Sequence, residues 1–256
     1  MAKHEFHGKV VFITGAGGGI GKACAQAFAA TGATVVASDV QREQAQAVVD
    51  ALPHDGRQSH QALALDVRET AQWQAALEAA MAQQGRLDCL VNNAGIEIIK
   101  AVTELEVDEI DQLLAINVRG VLLGCKHAVP HLATTKGSIV NLASVAGLVG
   151  WPLLSLYCAS KGAVVQISRS LAQELRDTGI RVNALCPAVI QTDMGSRFLD
   201  RYEQGHGIPM TDAINARQGR LGTVEEVADC VLFLASDAAA FVNGAALPVD
   251  NGLSAG

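Results

Sequence analysis

Tyr157 and Lys161 stand four residues apart, the spacing that puts two side chains on one face of a helix. A free tyrosine titrates near about 10 and is a poor base at neutral pH. An ammonium beside it favours the phenolate and lowers that value, so the pair can serve as a proton-transfer acid/base. Ser144 lies thirteen residues before Tyr157, just after a strand-like run at 138–142. Strand C-termini line the ligand crevice of a parallel sheet, so its hydroxyl can hydrogen-bond a substrate oxygen there. Asn117 falls in mid-helix, where an amide is unfavourable without a partner. A Tyr-x-x-x-Lys pair alone also describes a solvated helix face; its surroundings raise the chemical reading.

A second constellation is Thr14-Gly15-Ala16-Gly17-Gly18-Gly19-Ile20-Gly21, between a strand and a helix. Glycines permit a tight turn and close approach of a pyrophosphate, and the helix N-terminus offers free N–H groups and partial positive charge. The strand–turn–helix context is what separates this from a chance GxGxxG. Asp39 ends the next strand, where a carboxylate accepts from a ribose 2′-OH and repels a 2′-phosphate. Gly18 and Val40 offer no cation for such a phosphate, and Arg42 belongs to the following helix, so NAD is expected in preference to NADP. Asp66 follows the third strand and could meet the adenine amino group or cap the helix beginning near Arg68.

The elements that must position these residues alternate. Strands are expected at 9–14, 33–38, 62–65, 87–91, 138–142, 180–185 and 245–249, and helices at 20–31, 41–52, 69–84, 107–131, 154–177 and 224–235. That alternation predicts an α/β fold: a Rossmann-type, doubly wound, seven-stranded parallel sheet with helices on both faces, one domain over 1–256. Residues 192–222 show weak periodicity and many glycines and polar residues. Half of the residues are apolar and only 4% aromatic, an aliphatic core suited to a sheet covered on both faces. The net charge of −7 and the lack of a basic stripe argue against nucleic acid and anionic membranes. No run of ~18 apolar residues could span a bilayer, and residues 1–8 carry no apolar signal core. Six cysteines are scattered through apolar segments, without CxxC or a His/Cys cluster. Reduced thiols, no metal and a cytoplasmic setting are the expectations.

Taken in order, TGAGGGIG at 14–21, NNAG at 92–95, Ser144 and Tyr157-Cys158-Ala159-Ser160-Lys161 resemble the motifs of the short-chain dehydrogenase/reductases, in the spacing of their short single-domain branch. The resemblance covers essentially the whole chain. It implies hydride transfer between a nicotinamide dinucleotide and an alcohol or ketone. Tyr157 would move the proton, Lys161 would lower its pKa and bind the nicotinamide ribose, and Ser144 would orient the substrate oxygen. Asn117 would hold a helix irregularity and a relay water. Gly15, Gly19, Ile20, Gly21, Asp39, Asp66, Val67, Asn92, Ala94, Gly95 and Pro187 would contact the cofactor, with Val189 meeting the carboxamide through its backbone and Thr192 through its side chain. The family usually forms tetramers through the helices at 107–131 and 154–177, so a homotetramer is expected. Two departures stand out: Pro187-Ala188 replaces Pro-Gly, and Asp250-Asn251-Gly252 replaces Asp-Gly-Gly.

The substrate pocket is expected from the loops after strands four, five and six: Glu97, Ser144, Ala146, Trp151, Leu154, Ala188, Met194 and Phe198, joined by Ile96, Val145 and Leu148. Most are apolar, and 192–222 would form a lid over them. Glu97 would repel an acid and accept a hydroxyl, with no Lys, Arg or His near it in the loops around Ser144. A neutral substrate follows: a cyclic alcohol, diol or steroid-like ketone. The competing class is a non-catalytic dinucleotide-binding regulator or scaffold; the complete Asn117, Ser144, Tyr157 and Lys161 set argues against it.

Overall fold

The computed structural model describes residues 6–206 and 210–255. β1 (Val10–Thr14), β2 (Thr34–Asp39), β3 (Gln61–Ala64), β4 (Cys89–Asn92), β5 (Ser138–Leu142), β6 (Arg181–Pro187) and β7 (Ala246–Val249) form one sheet in the order β3-β2-β1-β4-β5-β6-β7. Every neighbouring pair is parallel. The doubly wound sheet read from the sequence is therefore the observed fold. The chain leaves β1 in one direction toward β2 and returns to its other side at β4, which opens a crevice at the strand C-termini.

Strand pleating sends alternate residues of β1 to opposite faces. Val11 and Ile13 join Cys24 and Phe28 of α1 (Gly19–Ala30) and Val227 and Val231 of α9 (Val224–Ala235) in one apolar layer. Val10 and Phe12 join Trp73 of α3 (Thr70–Gln84), Val121 of α5 (Gly120–Thr135) and Val164 of α6 (Ser155–Glu174) in the other. All of these side chains are buried, so the strands hold their C-terminal ends against a rigid, two-sided core.

The helix expected at 107–131 differs in detail. α4 (Val107–Leu114) passes into a π-helical turn at Ala115–Arg119 before α5, which continues through Pro130 to Thr135. A proline removes one helical hydrogen bond; burial of Ala128 and Leu132 on either side keeps the helix in place. The segment 192–222 is not irregular. It contains α7 (Asp193–His206) and α8 (Met210–Gln218), while residues 207–209 of the expected lid lie outside the described residues. These helices escape sequence reading because their apolar residues are few. Buried Phe198 and Ile214 dock on a small separate cluster with Ile99 and Leu154, and that contact holds both helices. α2 (Arg42–Asp50) completes the helices and packs Ala45 and Val48 beside α1.

Candidate active site

A cleft of about 860 Å³ follows the strand ends from the glycine turn to the α7 helix. At one end, Gly15 turns with φ +62, a conformation that suits glycine. A Cβ on Gly21 would overlap the Gly15 carbonyl oxygen and come within 2.6 Å of Asn93 Nδ2, so α1 can start against the turn only without a side chain there. The Thr14 hydroxyl accepts from the Asn93 and Ala94 N–H groups, each at 3.0 Å, and Asn93 Nδ2 donates to the Thr14 and Gly15 carbonyls at 2.9 Å. The turn is thus tied to the end of β4. The first turn of α1 has no side-chain cap, which leaves its N–H groups for a ligand anion. Asp39 receives the Gly17 N–H at 3.1 Å on one oxygen and the Gln41 N–H at 3.1 Å on the other, and still lines the cleft.

Gly15, Gly19, Ile20, Ala94, Gly95, Tyr157, Lys161, Pro187, Val189 and Thr192 line the same cleft. Four other cofactor expectations do not line it: Gly21 lies behind the turn against the Gly15 carbonyl, and three fall elsewhere. Asn92 is buried beneath the crevice, donating to Asn141 Oδ1 at 2.8 Å, and its neighbour Asn93 takes the cleft wall. The Asp66 carboxylate is held by the Arg68 guanidinium at 2.6 Å and neither lines the cleft nor caps α3, whose N-cap is Glu69. Val67 is buried, and its carbonyl accepts from the Trp73 indole at 3.0 Å. For Val189, the Gln218 side-chain amide donates to its carbonyl at 2.9 Å and accepts from its N–H at 3.2 Å. Gln218 comes from α8 and is buried. It stood in the weakly periodic segment, and no sequence signal marked it.

Ser144, Tyr157 and Lys161 meet at the centre. A Cβ on Gly147 would sit 2.7 Å from the Lys161 backbone, so this glycine lets the loop after β5 lie directly on α6. Ser144 caps the short turn Val145–Gly147, accepting from the Ala146 N–H at 3.1 Å, and donates to the Pro187 carbonyl at 3.4 Å. Lys161 Nζ donates to the Leu142 carbonyl at 2.8 Å and lies 5.6 Å from the centre of the Tyr157 ring. Burial pushes the Tyr157 phenol above its ordinary value, Glu97 adds to the rise, and the Ser144 hydroxyl pulls the other way. Burial also brings Lys161 down to about 8. Desolvation by burial is thus the largest influence on both side chains. Asn117 occupies the π turn, where its Oδ1 accepts from the Ile96 N–H at 2.9 Å and its Nδ2 donates to the Ile96 carbonyl at 2.8 Å. Such turns inside α-helices recur at functional sites.

At the far end, Glu97, Ala146, Trp151, Leu154, Ala188, Met194 and Phe198 all line the cleft, as does Val145, whereas Ile96 and Leu148 do not. Trp151 meets Phe198 edge-on at 6.2 Å between centroids, and the Arg217 guanidinium lies 5.6 Å over the indole. Burial raises Glu97 to about 7 against the opposing pull of Arg197 and Arg201. Those arginines are a correction to the cation-free pocket read from the loops: Arg197 lines the cleft from α7, a helix the sequence did not reveal. Ala188 does not adopt positive φ, so the methyl that replaces the family glycine is accommodated, and Asn251 takes φ 49, left-handed as its type allows. Among the described residues, no group of three or more His, Cys, Asp or Glu is placed to hold a metal, and no helix is long and apolar enough to cross a membrane.

A family model described as enoyl-(acyl carrier protein) reductase matches residues 15–254. Meso-2,3-butanediol dehydrogenase of Serratia marcescens is 40% identical over 253 residues, 98% of this chain and 96% of that one. Levodione reductase superposes with a TM-score of 0.93 at 34% identity, covering 98% of this chain and 99% of its own. The 3-ketoacyl-(acyl-carrier-protein) reductase of Brucella melitensis, solved with NADH, gives 0.87 at 36% identity, covering 98% of this chain and 100% of its own. The chain belongs to the short-chain dehydrogenase/reductase family. Within that family it is an oxidoreductase.

Proposed function

We propose that this oxidoreductase transfers hydride between NAD(H) and a neutral, largely apolar secondary alcohol or ketone, with Tyr157 moving the proton. The observation that carries the reading is one cleft joining the glycine turn and Asp39, through Tyr157, Ser144 and Lys161, to the Trp151–Phe198 wall. The residues fit a dinucleotide: a side-chain-free turn at an uncapped helix start takes the pyrophosphate, and a carboxylate 22 residues from Gly17 takes the ribose hydroxyls. Asp39 disfavours a 2′-phosphate, which supports NAD over NADP. When bound, the nicotinamide supplies the hydride acceptor or donor. Lys161 holds the adjoining ribose, Ser144 orients the reacting oxygen, and Thr192 receives the carboxamide beside Val189, whose own backbone groups are paired with Gln218. Asn117 keeps the π turn that carries the proton path toward Lys161.

The substrate class rests on an apolar wall with a single carboxyl, Glu97, and on the diol for which the Serratia relative is named. The segment α7–α8 is the lid of a single domain. The exposed Val107, Leu114 and Leu122 along α4 and α5 support a tetramer, and six free cysteines suit a reducing cytoplasm. The test is NAD-dependent absorbance change over secondary alcohols, diols, hydroxysteroids and hydroxy acids, with NADP alongside. Turnover of neutral alcohols, absent in Tyr157→Phe, is expected; turnover of hydroxy acids alone sinks the substrate reading. Gel filtration at the 26.7 kDa mass of one chain would refute the tetramer.

A further inference from the structure

Four buried side-chain polar atoms lack a hydrogen-bond partner among the described residues, and two of them belong to the substrate end of the cleft. They are Glu97 Oε1 and Trp151 Nε1; the other two, on Gln61 and His127, belong to residues that do not line it. A folded protein seldom leaves such atoms unpaired, because each has lost water without gaining a partner. The Arg217 guanidinium lies over the indole and Phe198 meets it in a T-shaped contact, so the ring is packed while its N–H has no partner. It hangs on a loop where Leu153 adopts φ 61, a left-handed conformation that is costly for leucine, and the Leu153 carbonyl is fixed by the Lys100 N–H at 2.9 Å. Strain of this kind persists where the surroundings enforce a geometry.

The two orphaned groups are complementary to one chemical object. An indole N–H can only donate, and a carboxyl can accept or, when protonated, donate. A hydroxyl accepts from the first and exchanges a hydrogen bond with the second. We infer that Glu97 and Trp151 form the recognition site for a second oxygen on the substrate, so that the preferred substrate is a neutral diol, or the hydroxyketone formed from it, over the matching mono-alcohol. This rests on the alcohol–ketone reading above and deepens it. With a nicotinamide bound to take the hydride of the reacting carbon, Tyr157 in its phenolate form would take the hydroxyl proton, and the second hydroxyl would be unchanged. Burial raises the Glu97 carboxyl to about 7, so it is largely neutral below that pH, with Tyr157 on α6 and Arg197 and Arg201 on α7 as the charged or titratable groups acting with it. A neutral acid suits a hydroxyl better than it suits a cation. Arg197 lines the same cleft, so a substrate carboxylate is the alternative that the test must separate.

The experiment compares kcat/KM with NAD for butane-2,3-diol, butan-2-ol and 2-hydroxybutanoate in the full-length protein and in Glu97→Leu, Glu97→Gln and Trp151→Phe. NADH binding and melting temperature are measured on each variant. The wild type is expected to favour the diol over butan-2-ol by roughly tenfold or more, as sites built to pair a hydroxyl do. Glu97→Leu is expected to collapse that ratio by about tenfold and Trp151→Phe by about fivefold, while Glu97→Gln keeps it within about threefold, because an amide still donates and accepts. A diol ratio unchanged in both Glu97→Leu and Trp151→Phe overturns the inference. If Glu97→Leu does not fold, Trp151→Phe decides alone. Equal turnover of diol and mono-alcohol by the wild type also overturns it, with the alcohol–ketone reading left standing. Turnover of 2-hydroxybutanoate alone removes both.

Discussion

The two ends of the cleft are built on opposite principles. At the cofactor end the side chains are already paired, with Thr14, Asn93 and Asp39 locking the glycine turn, and the backbone N–H groups at the start of α1 are what is left for a ligand. At the substrate end, Glu97 Oε1 and Trp151 Nε1 are buried without partners, and the covering helices α7 and α8 are joined to the rest by a few apolar contacts and by the Gln218 amide. The difference teaches where specificity resides. A rigid cradle serves a ligand that is always the same, whereas a wall with unpaired groups selects among substrates by which of them supplies the missing bonds.

Several substitutions would break or sharpen that contrast. The largest effect is expected at the junction of the two ends: Tyr157→Phe should lower kcat by about 10³-fold while NADH binding, followed by fluorescence, stays near wild type. Next, Gly21→Ala forces a methyl into the Gly15 carbonyl, so it should weaken NADH binding by about 100-fold and lower the melting temperature, a double loss that no change in the substrate wall should produce. Asp39→Ala should leave the fold intact and shift the NAD-to-NADP ratio of kcat/KM toward NADP by about tenfold or more, since it removes a repulsion and two ribose acceptors. An unchanged ratio would mean that Asp39 serves only to close the turn. Gln218→Leu leaves the Val189 N–H without that partner, at a cost of about 1–3 kcal/mol. It should raise the substrate KM more than it lowers kcat, with a lower melting temperature as the second readout.

The smallest effect is on pH dependence. Glu97 titrates at about 7 in the folded protein against an ordinary 4.5. Between those values the folded state holds more protons than the unfolded chain, so the contribution of Glu97 to stability is complete below about 4.5 and is lost as pH rises through about 7. Melting temperatures of wild type and Glu97→Gln should therefore diverge progressively across that window, to the disadvantage of the wild type. Parallel curves would place Glu97 in an ordinary solvated setting.

Much of the cofactor end was legible because its chemistry is local. Residues 14–21 need only be a strand, a turn and a helix start, and Asp39 need only end the next strand. Asn92 misled because adjacent residues on a strand point to opposite sides: one Asn of the NNAG run goes under the crevice and the other into it. The π turn around Asn117 left no trace in the spacing of apolar residues, and the burial that acts on Tyr157 and Lys161 is not visible in their four-residue spacing. Arg197 and Gln218 went unseen for a shared reason. Both stand on helices dominated by polar residues, α7 with a sparse Met194–Phe198–Tyr202 stripe and α8 with none, and their place is set by docking on Ile99, Leu154 and Trp151.

The sequence by itself determined the doubly wound sheet, its seven strands and the helices that cover them, and most of the residues gathered at its C-terminal edge, because alternation, glycine turns and four-residue spacing act through the chain's near neighbours. Only the tertiary structure decided which groups at that edge keep a partner and which are left wanting one. Burial, desolvation and hydrogen-bond satisfaction depend on residues brought together from β4, β5, α6, α7 and α8, and no local pattern records what will lie across a cleft.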